Sequence, residues 1–95
     1  MALLKKIVKA NGVETTYHKV GSLSMRAGES GVYTLTTEVK SYVTKEIREV
    51  SEDNVADVNY YSLNTSLTEL ENNSIFAVAY NRLKALPEFE HAEDA

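Results

Sequence analysis

The clearest pattern along the chain is the two-residue alternation over 32–43. Tyr33, Leu35, Thr37, Val39, Ser41 and Val43 fall on one side, and Thr34, Thr36, Glu38, Lys40 and Tyr42 on the other. A β-strand turns successive side chains to opposite faces, so this run predicts a strand with one mostly apolar face. Residues 55–63 repeat the pattern, with Val55, Asp57, Asn59, Tyr61 and Leu63 against Ala56, Val58, Tyr60 and Ser62. Two shorter β-rich runs, 3–10 and 13–20, flank Asn11-Gly12. Asn-Gly in that setting predicts a hairpin closed by a type I′ turn, whose two central residues both need positive φ. A two-residue loop would set Lys9 opposite Glu14, Val8 opposite Thr15, Ile7 opposite Thr16 and Lys6 opposite Tyr17. The opposite charges of Lys9 and Glu14 favour that register.

The period changes near the end of the chain. Ile75, Phe76, Ala79, Tyr80, Leu83 and Leu86 form a stripe at helical spacing. Ser74 or Asn73 can cap that helix, Arg82 and Lys84 suit the negative end of its dipole, and Pro87 stops it. The segments between are less regular. Residues 21–31 read as a loop punctuated by Gly21, Ser22, Ser24, Gly28, Ser30 and Gly31, with Leu23 and Met25 as a candidate bridging strand. Val43, Ile47 and Val50 are spaced for a helix, but the Val, Thr and Ile content of 43–50 favours a strand that continues or bends. Residues 51–54 are a polar turn, and 64–73 a polar connection anchored by Leu67 and Leu70. The expected fold is therefore α+β. A small antiparallel β-sheet, made of the N-terminal hairpin plus two or three further strands, carries one C-terminal α-helix. The domain spans 1–86, and 87–95 form an acidic C-terminal tail.

Composition narrows the function classes. Ninety-five residues make one thin domain, and the chain has no cysteine for disulfides or thiolate metal sites. Small domains without such staples often complete their core by association. Ten valines, eight threonines and six tyrosines suit a sheet. No apolar run is long enough to span a membrane, and the opening Leu3-Leu4-Lys5-Lys6 is too short for a secretory signal, as expected at the mature start of a cytosol-made protein.

The net charge of −4 is unevenly spread. Residues 1–50 carry eight bases against five acids, and residues 51–95 two bases against nine acids. An acidic chain without a basic stripe is not built to bind nucleic acid. The acidic end, with Phe89 set among its carboxylates, is expected to dock. Its target is either its own sheet or Lys5, Lys6, Lys9 and Lys19 of a neighbouring copy.

Catalytic chemistry finds little foothold. His18 and His91 lie in different elements, and His18 reads as a surface or half-buried strand residue. Gly28-Glu29-Ser30-Gly31 lacks the lysine of a phosphate-binding loop. No cofactor or metal is expected, and an enzyme is not. The six tyrosines carry more weight. Tyr33, Tyr61 and Tyr80 suit the core, while Tyr17, Tyr42 and Tyr60 suit an interface or a sugar-stacking platform. Lys5, Lys9, Tyr17, Lys19, Tyr42, Tyr60 and Phe89 are thus the candidate partner-contact residues. The hairpin 3–20 and the tail 87–95 would supply much of that surface.

Several stretches together resemble a known group. They are Asn11-Gly12-Val13 with Tyr17-His18-Lys19-Val20, Ser41-Tyr42 with the charged run that follows, Tyr60-Tyr61-Ser62-Leu63, and the ending Leu86-Pro87-Glu88-Phe89-Glu90. The chain is similar to short proteins encoded among the tail and baseplate genes of long-tailed bacteriophages and of prophages of Gram-positive bacteria. The likeness covers nearly the whole length and is loosest over 21–40. It implies a virion structural protein of the tail or baseplate, made in the host cytoplasm. Its implied partners are other tail or baseplate proteins and further copies of itself, with no membrane or nucleic-acid partner. A saccharide- or receptor-binding module using exposed tyrosines and a non-virion phage assembly factor are the alternatives.

Overall fold

A computed structural model describes residues 2–9 and 12–94. Its elements, in order, are β1 (Leu3–Val8), β2 (Glu14–Ala27), β3 (Val32–Tyr42), α1 (Lys45–Val50), β4 (Asp57–Ser66), α2 (Leu67–Asn72), α3 (Ile75–Lys84) and β5 (Glu93–Asp94). The five strands form one antiparallel sheet in the order β4-β3-β2-β1-β5. The fold is α+β as the periodicity requires, with three helices where the pattern indicated one. β3, the most regularly alternating run, lies at the centre between β2 and β4. Its Leu35, Thr37, Val39 and Ser41 are buried, which is the face the alternation selects.

The first hairpin forms, but not in the expected register. Val8 pairs with Glu14 and Ile7 with Thr15, one residue away from the pairing that a two-residue loop gives. The Lys9 amide donates to the Val13 carbonyl, and the Gly12 amide donates to the Lys9 carbonyl. Three residues therefore separate the closing pair, and Gly12 takes φ +87°, which a glycine reaches without a steric penalty. Ala10 and Asn11, on which the type I′ turn was placed, lie outside the described residues. With the slip, Glu14 sits 3.8 Å from Lys6, and Lys9 instead reaches Asp57 of β4 at 3.3 Å. A second irregularity follows at Lys5-Lys6, which oppose the single residue Thr16, so Tyr17 pairs with Leu4 rather than Lys6.

Most of the expected loop over 21–31 is strand. β2 runs on to Ala27 and pairs with β3 as far as Ala27–Tyr33, with Gly21 as the extra residue of a bulge. The turn itself is short. Ser30 and Gly31 both have positive φ, 58° and 76°, and the Val32 amide donates to the Glu29 carbonyl. Two helices also form where a strand and a polar connection were expected. Residues 45–50 are helical because Thr44 caps the first turn, its hydroxyl accepting from the Ile47 amide. Residues 67–72 are helical because Ser66 does the same for the Glu69 amide.

The apolar face of the sheet is covered by α3, capped by Ser74 as expected, and by the segment after it. Leu3, Val20, Leu35, Val39 and Leu63 from the strands meet Val78, Tyr80 and Leu83 from the helix. Phe89 completes this core at 1% exposure. The stretch 87–94 is therefore part of the folded unit rather than a tail beyond it. Pro87–Phe89 form one 3-10 turn, and β5 pairs with β1 through Leu3–Asp94 and Leu4–Glu93. Of the two docking targets open to the acidic end, the chain takes its own sheet. The opposite face of the sheet has a smaller cluster at the same end, where Ala2, Tyr17 and Tyr42 are buried against Leu4 and Val55.

Candidate protein-contact surface

His18 is an interior residue, 1% exposed, not a surface one. The bulge in β1 turns the Lys5 carbonyl towards its ring, at 2.7 Å from Nε2. A carbonyl only accepts, so Nε2 carries the proton and Nδ1 accepts from the Ser41 hydroxyl at 2.8 Å. Phe89 stands edge-on to the ring at 5.2 Å between centroids. Burial lowers the His18 pKa, and the Lys9 charge adds to this. The Lys5 carbonyl and the Asp57 carboxylate oppose the shift. Ser41 and Asp57 pair across β3 and β4, so serine, histidine and aspartate share one row of the sheet. The serine and histidine are sealed under Phe89, and Asp57 is held by Asn59 and Lys9. The arrangement satisfies buried polar groups and offers a substrate no approach. Among the described residues, no three His, Asp or Glu side chains converge as a metal site.

The candidate contact residues divide by burial. Tyr17, Tyr42 and Phe89 are interior, so the structure corrects their assignment to an interface. Tyr17 and Tyr42 pack on each other at 6.2 Å, and the Tyr42 hydroxyl donates to the Glu52 carbonyl. Tyr60 is 67% exposed on the open face, and its hydroxyl donates to Glu38 at 3.1 Å. Bonding to that carboxylate raises the Tyr60 pKa. Tyr61, on the other face, donates to Glu88 at 2.7 Å, and its pKa is raised by burial and then by that bond. A shared aromatic platform does not form. Lys5 and Lys19 are half-buried without an ion pair among the described residues, and Lys9 is held by Asp57. The tail that might have reached such lysines on a neighbour is engaged within the chain, where Asp94 pairs with Lys84 at 3.1 Å.

The open surface lies elsewhere, on the arm formed by the distal halves of β2 and β3. β1 pairs with β2 only as far as Leu3–His18, so among the described residues β2 has no strand on its outer side from there to Ala27. The first uncovered amide, that of Val20, donates to the Tyr80 hydroxyl at 2.9 Å. From Ser22 to Ala27 the edge has no such cover among the described residues. Beside it is an open apolar groove of about 300 Å³, lined by Met25, Tyr33, Leu67, Leu70, Glu71 and Ile75. Met25 is 52% exposed there. The sequence signal for this edge was Ser30-Gly31, a dipeptide suited to a tight turn, which makes 21–27 a strand. The glycines around it disguised that signal as a loop.

On the opposite face, Lys19, Lys40, Arg48 and Glu52 line a smaller crevice of about 180 Å³. Arg48 is paired with Glu52 at 3.1 Å and Lys40 lies 4.0 Å from Glu38, so most of its charge is neutralised internally. No helix among the described residues is long and apolar enough to cross a membrane. Comparison with protein-family models, with curated proteins and with solved structures gave no match.

Proposed function

We propose that this chain is a structural protein of a bacteriophage tail or baseplate, present in several copies and acting through protein–protein contacts. The observation that carries the reading is the uncovered β2 edge beside an apolar groove. Strand edges are normally blunted by charge, proline or a covering element, and an uncovered apolar one serves pairing with another chain. The likeness of the hairpin and of the Leu86-Pro87-Glu88-Phe89-Glu90 ending to tail-region proteins supplies the setting. In that setting the protein is made in the host cytoplasm and incorporated into the virion, and its partners are other tail proteins and further copies of itself. The lysine-rich hairpin is a lesser part of the contact surface than the arm, because β1 is flanked on both sides by strands of its own chain.

Mass spectrometry of purified particles tests the reading. The protein is expected at a fixed stoichiometry to the tail proteins through successive purification steps. Its loss on purification, with expression in the infected cell unchanged, would assign it to a non-virion role.

A further inference from the structure

The β2 edge is self-complementary. We infer that two copies of the chain pair antiparallel through residues 21–27 of β2, about a twofold axis at Ser24, joining their sheets into one. This rests on the proposed function only in expecting self-association, and names the surface that does it.

Three features of the arm converge on a second copy as the occupant. The first is backbone availability. In an antiparallel strand the main-chain groups of every second residue point to the same side. Those on the outer side of β2 are capped at Val20 by Tyr80 and left open beyond it. Residues 21–25, Gly-Ser-Leu-Ser-Met, contain no charge and no proline, so nothing in them repels an incoming strand.

The second is side-chain pairing. With Ser24 on the axis, Leu23 of each copy faces Met25 of the other on the core side of the sheet. This cross-strand apolar pair closes the exposed end of the groove. On the far side Ser24 faces its own counterpart and Ser22 faces Arg26, so no bulky group meets another there.

The third is charge. Arg26 is exposed and has no ion pair among the described residues. In this register it lies opposite Ser22 of the second copy, whose neighbour on β3 is Glu38. The Glu38 carboxylate already leans over β2 towards the edge. A Cβ added to Gly21 would lie 2.5 Å from Glu38 Oε1, so only glycine lets the carboxylate rest there. Gly21 and Ser22 have short side chains, and the Lys40 stem also lies over Gly21, so Arg26 of one copy meets the Glu38 carboxylate of the other from the Ser22 side. The twofold makes that contact twice; Lys40, 4.0 Å from Glu38, shares the carboxylate.

The chain has no cysteine, so one introduced thiol reports one contact. Directly opposed residues of a non-hydrogen-bonded antiparallel pair have Cα atoms about 4.5 Å apart, within disulfide range. Ser24→Cys is therefore expected to form a covalent dimer under mild oxidation, whereas Ser62→Cys on β4 is not. Light scattering should find a dimer for the unmodified protein and at least about tenfold weaker association for Arg26→Glu. Glu38→Arg placed in the Arg26→Glu background should restore association. A monomer at every concentration would overturn the inference. So would a dimer in which Ser24→Cys fails to cross-link or Arg26→Glu has no effect. Particle composition is a separate readout. A cross-linked dimer absent from virions would retire the tail reading alone, and a virion component that never pairs through β2 would retire only the interface.

Discussion

His18 is the residue whose protonation the fold constrains most. Its ring is neutral with both nitrogens engaged, and burial holds its pKa below the ordinary 6.5. The unfolded chain therefore binds a proton more readily than the folded one between the folded value and 6.5. The stabilisation from this residue is complete above 6.5 and is lost as pH falls through the lower, folded value. Urea midpoints measured from about pH 7 down to about pH 5 should fall in the parent protein, and fall less in His18→Gln. An equal slope in both would place the sensitivity elsewhere. Thr37 makes the opposite kind of prediction. It is fully buried in the middle of β3, and its hydroxyl has no hydrogen-bond partner among the described residues. Thr37→Val removes that unpaired group at nearly constant shape and should raise stability by about 1 kcal/mol in urea denaturation. At this scale the alternation was a good guide where one face is wholly core. It set Tyr61 and Leu63 inward and Tyr60 outward. It misplaced Tyr17 and Tyr42 because the second face is also covered at one end, by Ala2, Leu4 and Val55. That coverage comes from segments distant in sequence, and no local pattern announces it.

Among the elements, the last segment is the one whose role changed most. Phe89 packs edge-on against both His18 and Tyr61, at 5.2 and 5.8 Å between ring centroids. Removing a buried phenylalanine typically costs about 3–5 kcal/mol, a large part of the 5–15 kcal/mol that holds a small domain together. Deleting residues 88–95 should therefore lower the thermal midpoint sharply or abolish the folding transition in circular dichroism. A truncated protein that melts as the parent does would show the segment to be dispensable. β3, β4 and α3 were legible because their periods are long and unbroken, whereas residues 21–27 of β2 and the short β5 were not. The first register was not, because an Asn-Gly pair does not by itself distinguish a two-residue from a three-residue loop. The difference of one residue shifted every partner along the hairpin. Residues 45–50 and 67–72 are single short helices set by one capping hydroxyl each, Thr44 and Ser66, and their composition alone favours other states. The capping pattern Ser66-x-x-Glu69 was present in the sequence, and Glu69 goes on to hold Arg82 of α3 at 2.9 Å. That pair is how a connection read as polar loop comes to position the helix.

Across the whole molecule, the sheet is five strands wide at the row of Asp57, Ser41, His18, Leu3 and Asp94; the β1–β2 hairpin continues beyond it on one side and β2, β3 and β4 on the other, in a body of 41 × 26 × 21 Å. The small second cluster lies near that row, whereas α2 and the start of α3 lie beside the arm and line its groove. Among the described residues, two ion pairs join the basic and acidic halves of the sequence, Lys9–Asp57 and Arg48–Glu52. The acids near the end settle on Lys84 and on β1. What remains for outside contact is the arm, where neither composition nor charge had pointed. One consequence follows from the pairing of Leu3 with Asp94. Neighbouring strands lie about 4.8 Å apart, so Leu3 and Asp94 sit side by side. A short linker could join them and new ends could be opened in the polar turn at 51–54, giving a circular permutant with the same sheet. By the same geometry, segments joined before Leu3 and after Asp94 start from one place on the sheet, away from the arm.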